Sequence, residues 1–488
     1  MEKISPWVNK YGRPTTAIFF AVVTWLASGN PFFWDNIMLA SKCAQWYYTH
    51  GIGNGILPTA IDTGHPPLFG VYLATTWKIF GQTLAVSHWA MYPFVVGTAW
   101  QALRLANRVA PQWPLLAAAL ILADASLLAQ STQVSPDVPL LFFAFFAVNN
   151  ILQQNESTTP TTTFDWQKSL MLIGLAFVST RGIVLCMALF LAEIALLGWH
   201  GQLKRNFLKT ALKTVLPYLP AGLLMLAWFV WHYEHTGWIG YNLNSQWRDN
   251  YQNTDFIGFV RNVAVLAWRL TDIGRISVWL LLATGLWLSY KQRKKLSPIV
   301  THCLIVAVVL LGVMSAFFLP YQNPIGHRYL TIVMVLLMAV AVGLLAQVLP
   351  KQRKLFLSFC GGGLLLAFSG HFWITPETMA KGWDSMLSHI WYLDYRDEAV
   401  RYLKTQNIAS GTVGSDFPNL ATHQQITLEN DSYYFIQKNV SEQTYILQSN
   451  AMNGFSETEL TQLRDTMQWT LEKSWGSWPV YVRLYRRK

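Results

Sequence analysis

Apolar blocks separated by short polar turns fill the first three quarters of the chain, at roughly 15–30, 88–103, 113–131, 137–153, 168–180, 182–199, 213–231, 275–290, 299–319, 329–349 and 355–373. Blocks approaching twenty residues are long enough to cross a hydrocarbon core of about 30 Å. The pattern predicts an α-helical polytopic membrane protein of about eleven spans. One further block, residues 66–80, is short, begins at Pro66-Pro67 and carries Lys78 near its end. Whether it crosses decides the side on which every later loop lies.

Basic residues settle the question. With 66–80 left out and the N-terminus inside, the short inside segments hold 17 Lys and Arg: Lys3, Lys10, Arg13, Arg104, Arg108, Lys168, those of 204–213, "KQRKK" (291–295) and "KQRK" (351–354). The short outside loops hold only Arg181 and Arg328. Counting 66–80 as a span inverts the tally for most of the chain, against the positive-inside bias. The block is therefore read as an interfacial or re-entrant helix on the outer face. Residues 1–373 form the transmembrane part, with a first outer loop at 31–87 holding two helices and a second at 232–274. The tail, 374–488, then lies outside.

In the tail, polar and apolar positions predict a small α/β domain. "DYRDEAVRYLKTQN" (394–407) has helical spacing, and "GTVGSDF", "TYILQSN" and "PVYVRLYR" read as strands. "SETELTQLRD" (456–465) opens with a capping box, Ser456 and Glu459.

Composition agrees. Of 488 residues 52% are hydrophobic and 12% charged, about half the charge of a soluble domain. The 23 Trp and 20 Tyr suit interfacial belts. The net charge of +11 is no nucleic-acid footprint, since residues up to 373 carry 25 basic against 12 acidic side chains and the tail 11 against 13. Cys43, Cys186, Cys303 and Cys360 are scattered, with neither disulfide nor zinc spacing. The basic N-terminus leads into an uncleaved first span. The sequon "NES" (155–157) falls on the inside and is set aside.

The candidate chemistry gathers at the outer face. Asp35 follows "NPFFW" at the end of the first span; it is a helix cap or a general base whose pKa burial could raise. Asp62 and His65 stand on the turn before the diproline, which explains the prolines but not the acid and imidazole. Asp137 opens a span in "SPDVPLLFF", where Ser135, Pro136 and a helix dipole would account for it unaided. Arg181 lies on a hairpin turn in "STRGI", and His327 and Arg328 begin another span in "GHRYL". Both arginines are interfacial anchors or ligands for a phosphate arriving from the membrane. Arg269 and Arg275 in "WRLTDIGRISVW" are further candidates. No inside-facing Gly-rich phosphate loop exists for a soluble nucleotide donor; "CGGGLLL" (360–366) is close helix packing. A sugar carried on a lipid phosphate fits better, needing a base for the acceptor and cations for the leaving phosphate.

The early acid, "HPPL", the acid of "SPDVPLLFF" and the late "HRYL" together resemble the GT-C glycosyltransferases, in particular the protein O-mannosyltransferase-like family and the related lipid A aminoarabinose transferases. The resemblance covers about residues 12–373 and is strongest over the first 140. It implies sugar transfer from a polyprenyl-phosphate donor, with inversion, at the periplasmic face of a bacterial inner membrane. The acceptor would be a glycan, lipid or protein. By the same resemblance Asp35 matches the base, His65 a positioning residue and Asp137 the second acid, with Arg181 and Arg328 as donor-phosphate ligands. Asn36 follows Asp35 where a second acid would complete the family pattern, and there is no DxD motif. No cofactor is called for, and a divalent metal is possible but not indicated. Two other readings compete: a transporter using the in-span acids Asp124 and Glu193, and a non-catalytic polyprenyl-phosphate-binding subunit.

Overall fold

The computed structural model describes residues 8–53, 55–156, 164–201, 212–242, 244, 248–322, 325–373 and 382–488. Lys3, most of the 204–213 loop, the last residue of the 155–157 sequon and the expected domain boundary at 374 lie outside them.

The helical part runs α1 (Arg13–Ala27), α2 (Cys43–His50), α3 (Leu68–Phe80), α4 (Leu84–Val109), α5 (Pro114–Leu122), α6 (Ala125–Ser131), α7 (Asp137–Glu156), α8 (Trp166–Val178) and α9 (Thr180–Trp199). It continues with α10 (Leu219–Thr236), α11 (Phe256–Thr271), α12 (Ile276–Lys291), α13 (Pro298–Phe318), α14 (Thr331–Val348) and α15 (Arg353–Ser369). Helix starts follow local chemistry: Pro stands in the first turn of α1, α5, α10 and α13, and Asp165 and Ser179 cap α8 and α9 through their side chains. α14 is buried along nearly its whole length and forms the axis of the bundle.

Among the described residues, four helices are by length and composition able to cross a membrane: α9, α13, α14 with its 3-10 lead-in, and α15. Counting each of two bent pairs as one span gives six. The expected eleven are not reached on this measure: α1 with 15 residues and α8 with 13 are too short, and α4, α7 and α10 are long enough but not apolar enough over a full span. The expected span at 113–131 is instead α5 and α6, bent by 80° at Asp124. The second outer loop contains an unforeseen helix, α11, turned 77° from α12.

The short helix α3 starts and finishes at one end of the bundle. The start of α4 lies beside the end of α1, where His88 Nε2 is 2.9 Å from the Asn30 carbonyl. Farther along, Trp100 near the end of α4 donates to the carbonyl of Arg13, which opens α1. α1 and α4 are thus antiparallel neighbours, and the chain from 28 to 83 leaves and returns on the same side. Trp77 of α3 donates to Ser87 at 2.8 Å there.

The tail carries α16 (His389–Thr405), α17 (His423–Thr427), α18 (Glu457–Arg464) and strands β1 (Val413–Ser415), β2 (Ile436–Gln437), β3 (Tyr445–Ser449), β4 (Trp469–Gly476) and β5 (Tyr481–Arg487). The sheet order is β2-β1-β3-β5-β4, with β1 parallel to β2 and β3 and β5 antiparallel to β3 and β4. Ser456 and Glu459 form the expected capping box. The tail core is continuous with Phe33 and Trp34 of the first loop, Ala125 of α6 and Ile273. Phe32 donates its N–H to the Ile426 carbonyl at 2.8 Å. This shared core fixes the tail over the end of the bundle that holds Asp35.

Candidate active site

Asp35 sits on a strained turn. Trp34 before it has φ 59°, a left-handed conformation that costs an L-residue roughly 1–2 kcal/mol. Its ring packs edge-on against Phe417 of the tail at 4.8 Å, so tail and bundle together hold the turn. The effect is to aim the Asp35 side chain, 11% exposed, at Arg328.

Arg328 is the centre of the cluster. Its guanidinium pairs with Asp35 and Asp384 and lies 3.5 Å from Asp137. Asp137 in turn pairs with Arg181 at 2.5 Å, and the Arg181 guanidinium lies 4.4 Å over the Tyr329 ring. As expected, Asp137 opens α7, and its own N–H donates to Ser135 Oγ. That local role leaves the carboxylate free to face two cations. Among the described residues no three His, Cys, Asp or Glu side chains are grouped to hold a metal; a guanidinium lies where the carboxylates converge.

His65 approaches from the first loop. Its Nδ1 accepts from the Thr180 backbone N–H at 3.2 Å and lies 2.9 Å from Thr180 Oγ1. An acceptor role at Nδ1 puts the ring proton on Nε2. Desolvation first, then Arg181, push this imidazole down to about 3, so it is neutral at physiological pH. Gly64 makes the turn possible: its φ is +74°, and a Cβ there would fall 1.8 Å from the Gly240 carbonyl oxygen.

Two cavities meet at this cluster. One, of about 240 Å³, is lined by Asp35, His65, Thr180, Arg181, Arg328 and Tyr329, with Val184, Phe317 and Phe318 on its apolar side. The other, about 640 Å³, also has Asp35, Arg328 and Tyr329 in its wall and opens between the bundle and the tail.

Asp384 was missed by the sequence reading. It is 2% exposed, and burial pushes its carboxyl up to about 6 despite Arg328. Its backbone carbonyl accepts from Gln130 at 2.8 Å and Gln133 at 2.9 Å, which ties the segment after the last bundle helix to α6.

Four expected substrate ligands lie elsewhere, in neither cavity wall. Asp62 pairs with His232 at 2.9 Å and accepts from the Gly64 N–H, holding the first loop to α10. His327 is 3.1 Å from Asp272 and 3.3 Å from Arg269, and Arg269 also donates to the Ile325 carbonyl. Arg275 makes a two-pronged contact with Asp124, at 2.8 and 3.2 Å. All four are buried with partners, so they brace the loops around the site. The in-span acids likewise have fixed partners: Asp124 has Arg275, and Glu193 has Lys168 at 2.5 Å and Tyr218 at 3.0 Å. Lys168, counted above as an inside orientation signal, is instead a buried ion-pair member.

No family model and no curated protein matches the sequence. The fold does have counterparts among solved structures. A crystal structure of ArnT from Cupriavidus metallidurans bound to undecaprenyl phosphate superposes with a TM-score of 0.52 and 11% sequence identity, covering 96% of this chain and 97% of that one. The apo state of the same protein gives 0.49 and 12%, over 98% of each chain. The expected resemblance is thereby shown at the level of architecture: over nearly its whole length, tail included, this chain has the fold of the undecaprenyl-phosphate-bound ArnT.

Proposed function

We propose that the protein is an integral-membrane glycosyltransferase that moves a sugar, with inversion, from a polyprenyl-phosphate donor to an acceptor hydroxyl at the periplasmic face of a bacterial inner membrane. The observation that carries this reading is the 240 Å³ cavity, which brings a carboxylate, two guanidiniums and an apolar wall together. The undecaprenyl phosphate held by the ArnT structure of the same fold supports a polyprenyl-phosphate ligand.

In the proposed reaction Asp35 takes the acceptor proton. The acceptor oxygen bonds to the anomeric carbon while the bond from that carbon to the phosphate oxygen breaks. The electron pair leaves on polyprenyl phosphate, where Arg181 and Arg328 stabilise it. His65, neutral, positions Thr180 and so the start of the helix bearing Arg181. A donor phosphate competes with Asp35 for the Arg328 guanidinium and so frees the carboxylate to face the acceptor.

The test is donor titration. Arg181→Ala removes a charge-assisted contact, usually about 1.5–3 kcal/mol, and should raise donor KM by roughly 10- to 100-fold. Lysine should restore only part, lacking the planar fork. Unchanged donor titration in a variant that melts normally removes the phosphate role.

A further inference from the structure

The tail carries exposed aromatic rings where it meets the last bundle helix. Residues Arg353–Phe372 form an apolar run of 20 residues able to cross a membrane, starting in the basic turn 351–354. At 1.5 Å per residue the run spans about 30 Å, so with Arg353 at one edge of the hydrocarbon, Phe372 stands at the other. Leu365 and Phe368, near the end of α15, are exposed and mark its lipid-facing side. Two tail rings continue that side. Trp391 in the first turn of α16 and Trp478 in the β4–β5 turn each lie 6.1 Å from the Phe372 ring, centroid to centroid. Trp478 is 66% exposed in spite of this contact, and Trp391 is exposed too. The sheet is oriented to bring the turn here. Phe417, just after β1, meets Trp34 of the first loop, and the strand register puts Ser415, Ser449 and Gly476 at that same end.

We infer that Trp391 and Trp478 form an interfacial anchor, which seats the tail in the headgroup layer of the leaflet on its own side. An indole joins an apolar body to one N–H donor, so it favours the boundary between hydrocarbon and water over either phase. Continuity decides the occupant: the rings extend the lipid-facing side of α15 at the level where that span leaves the hydrocarbon. The anchor adds a hold on the bilayer to the tail's hold on the bundle. It thereby ties the membrane to the segment carrying Asp384, which precedes α16 and pairs with Arg328.

The test uses the full chain in lipid nanodiscs, with a nitroxide on Ser477→Cys or on Met467→Cys. The labelled wild-type chain, with its four native cysteines, supplies the background to subtract. Met467 is 83% exposed but lies beyond the opposite end of β4, whose eight residues put roughly 25 Å of strand between the two labels. Power-saturation EPR compares collisions with oxygen, which partitions into lipid, and with a nickel chelate, which stays in water. The label at 477 should favour oxygen and the label at 467 nickel. Adding Trp478→Ser to the Ser477→Cys chain should raise nickel collisions at 477 several-fold without lowering the thermal midpoint, and Trp391→Ser, on a different element, should do the same. Nickel-favoured collisions at 477 with both tryptophans present, or an oxygen preference that survives both substitutions, would overturn the anchor. Exclusion of both reagents from 477 would mean that a protein surface covers the turn, which overturns it equally.

Discussion

Arg328 satisfies Asp35, Asp137 and Asp384 at once, and Arg181 shares Asp137. With every group ionised, the carboxylates outnumber the guanidiniums. A donor phosphodiester would add another negative charge, so some group must yield. Asp384 is poised to do so, because burial holds its carboxyl at about 6, with Asp35 and Asp137 adding to the upward push and Arg328 and Arg181 opposing it. An acid with a raised pKa is protonated below it. As pH falls through about 6, Asp384 therefore takes a proton and releases Arg328 to the donor. Donor KM should fall several-fold between roughly pH 8 and pH 5, and Asp384→Asn should hold it at the low-pH value throughout. A pH profile identical in the two proteins would show that Asp384 does not control Arg328. Asp384 was not legible in the sequence, since it lies on a short 3-10 turn with no periodicity. Asp35, Asp137, Arg181 and Arg328 were legible because each marks a span boundary. Arg269, Arg275, His327 and Asp62 share that signature yet are partnered inward, and nothing local in the sequence reveals a partner up to 170 residues away.

The two broken helices lock each other. Asp124 caps α6 by accepting from the Leu127 N–H, and Arg275 precedes α12; their ion pair joins the two bends. Arg275 also donates to the Arg269 carbonyl at 3.0 Å and to Ser126 at 3.2 Å. Removing one member of such a buried pair usually costs about 3–5 kcal/mol, since the other charge stays buried alone. Asp124→Ala should lower the thermal midpoint sharply in detergent, and Asp124→Leu with Arg275→Met should recover most of the loss. Equal melting of wild type and Asp124→Ala would mean the bends are held by other contacts. The break at 124 was hidden from periodicity because the chain is apolar on both sides of it. α11 was hidden for the opposite reason: its apolar residues occupy one face only, and its average hydropathy is too low to read as a span. The long apolar helices and the capped tail helix were legible because length, Pro starts and the Ser456–Glu459 box are local signals.

At the scale of the molecule, the first loop, α6 and the tail share one core above the bundle. The basic turns at 291–295 and 351–354 lie at the far end of the antiparallel helices. This polarity concentrates the titratable groups of the site at one end and puts Asp35 in the walls of two cavities. Asp35 as the base is the pivot of the proposed reaction. The most direct measurement is single-turnover sugar transfer from a saturating polyprenyl-phosphate donor by Asp35→Asn, beside Asp137→Asn. Asparagine keeps shape and hydrogen bonding but cannot take the acceptor proton, a loss worth a factor of roughly 10² to 10⁴. Asp35→Asn should bind donor and lose turnover by that factor, with Asp137→Asn less severe because it only orients Arg181 and Arg328. Wild-type turnover by Asp35→Asn would contradict the account.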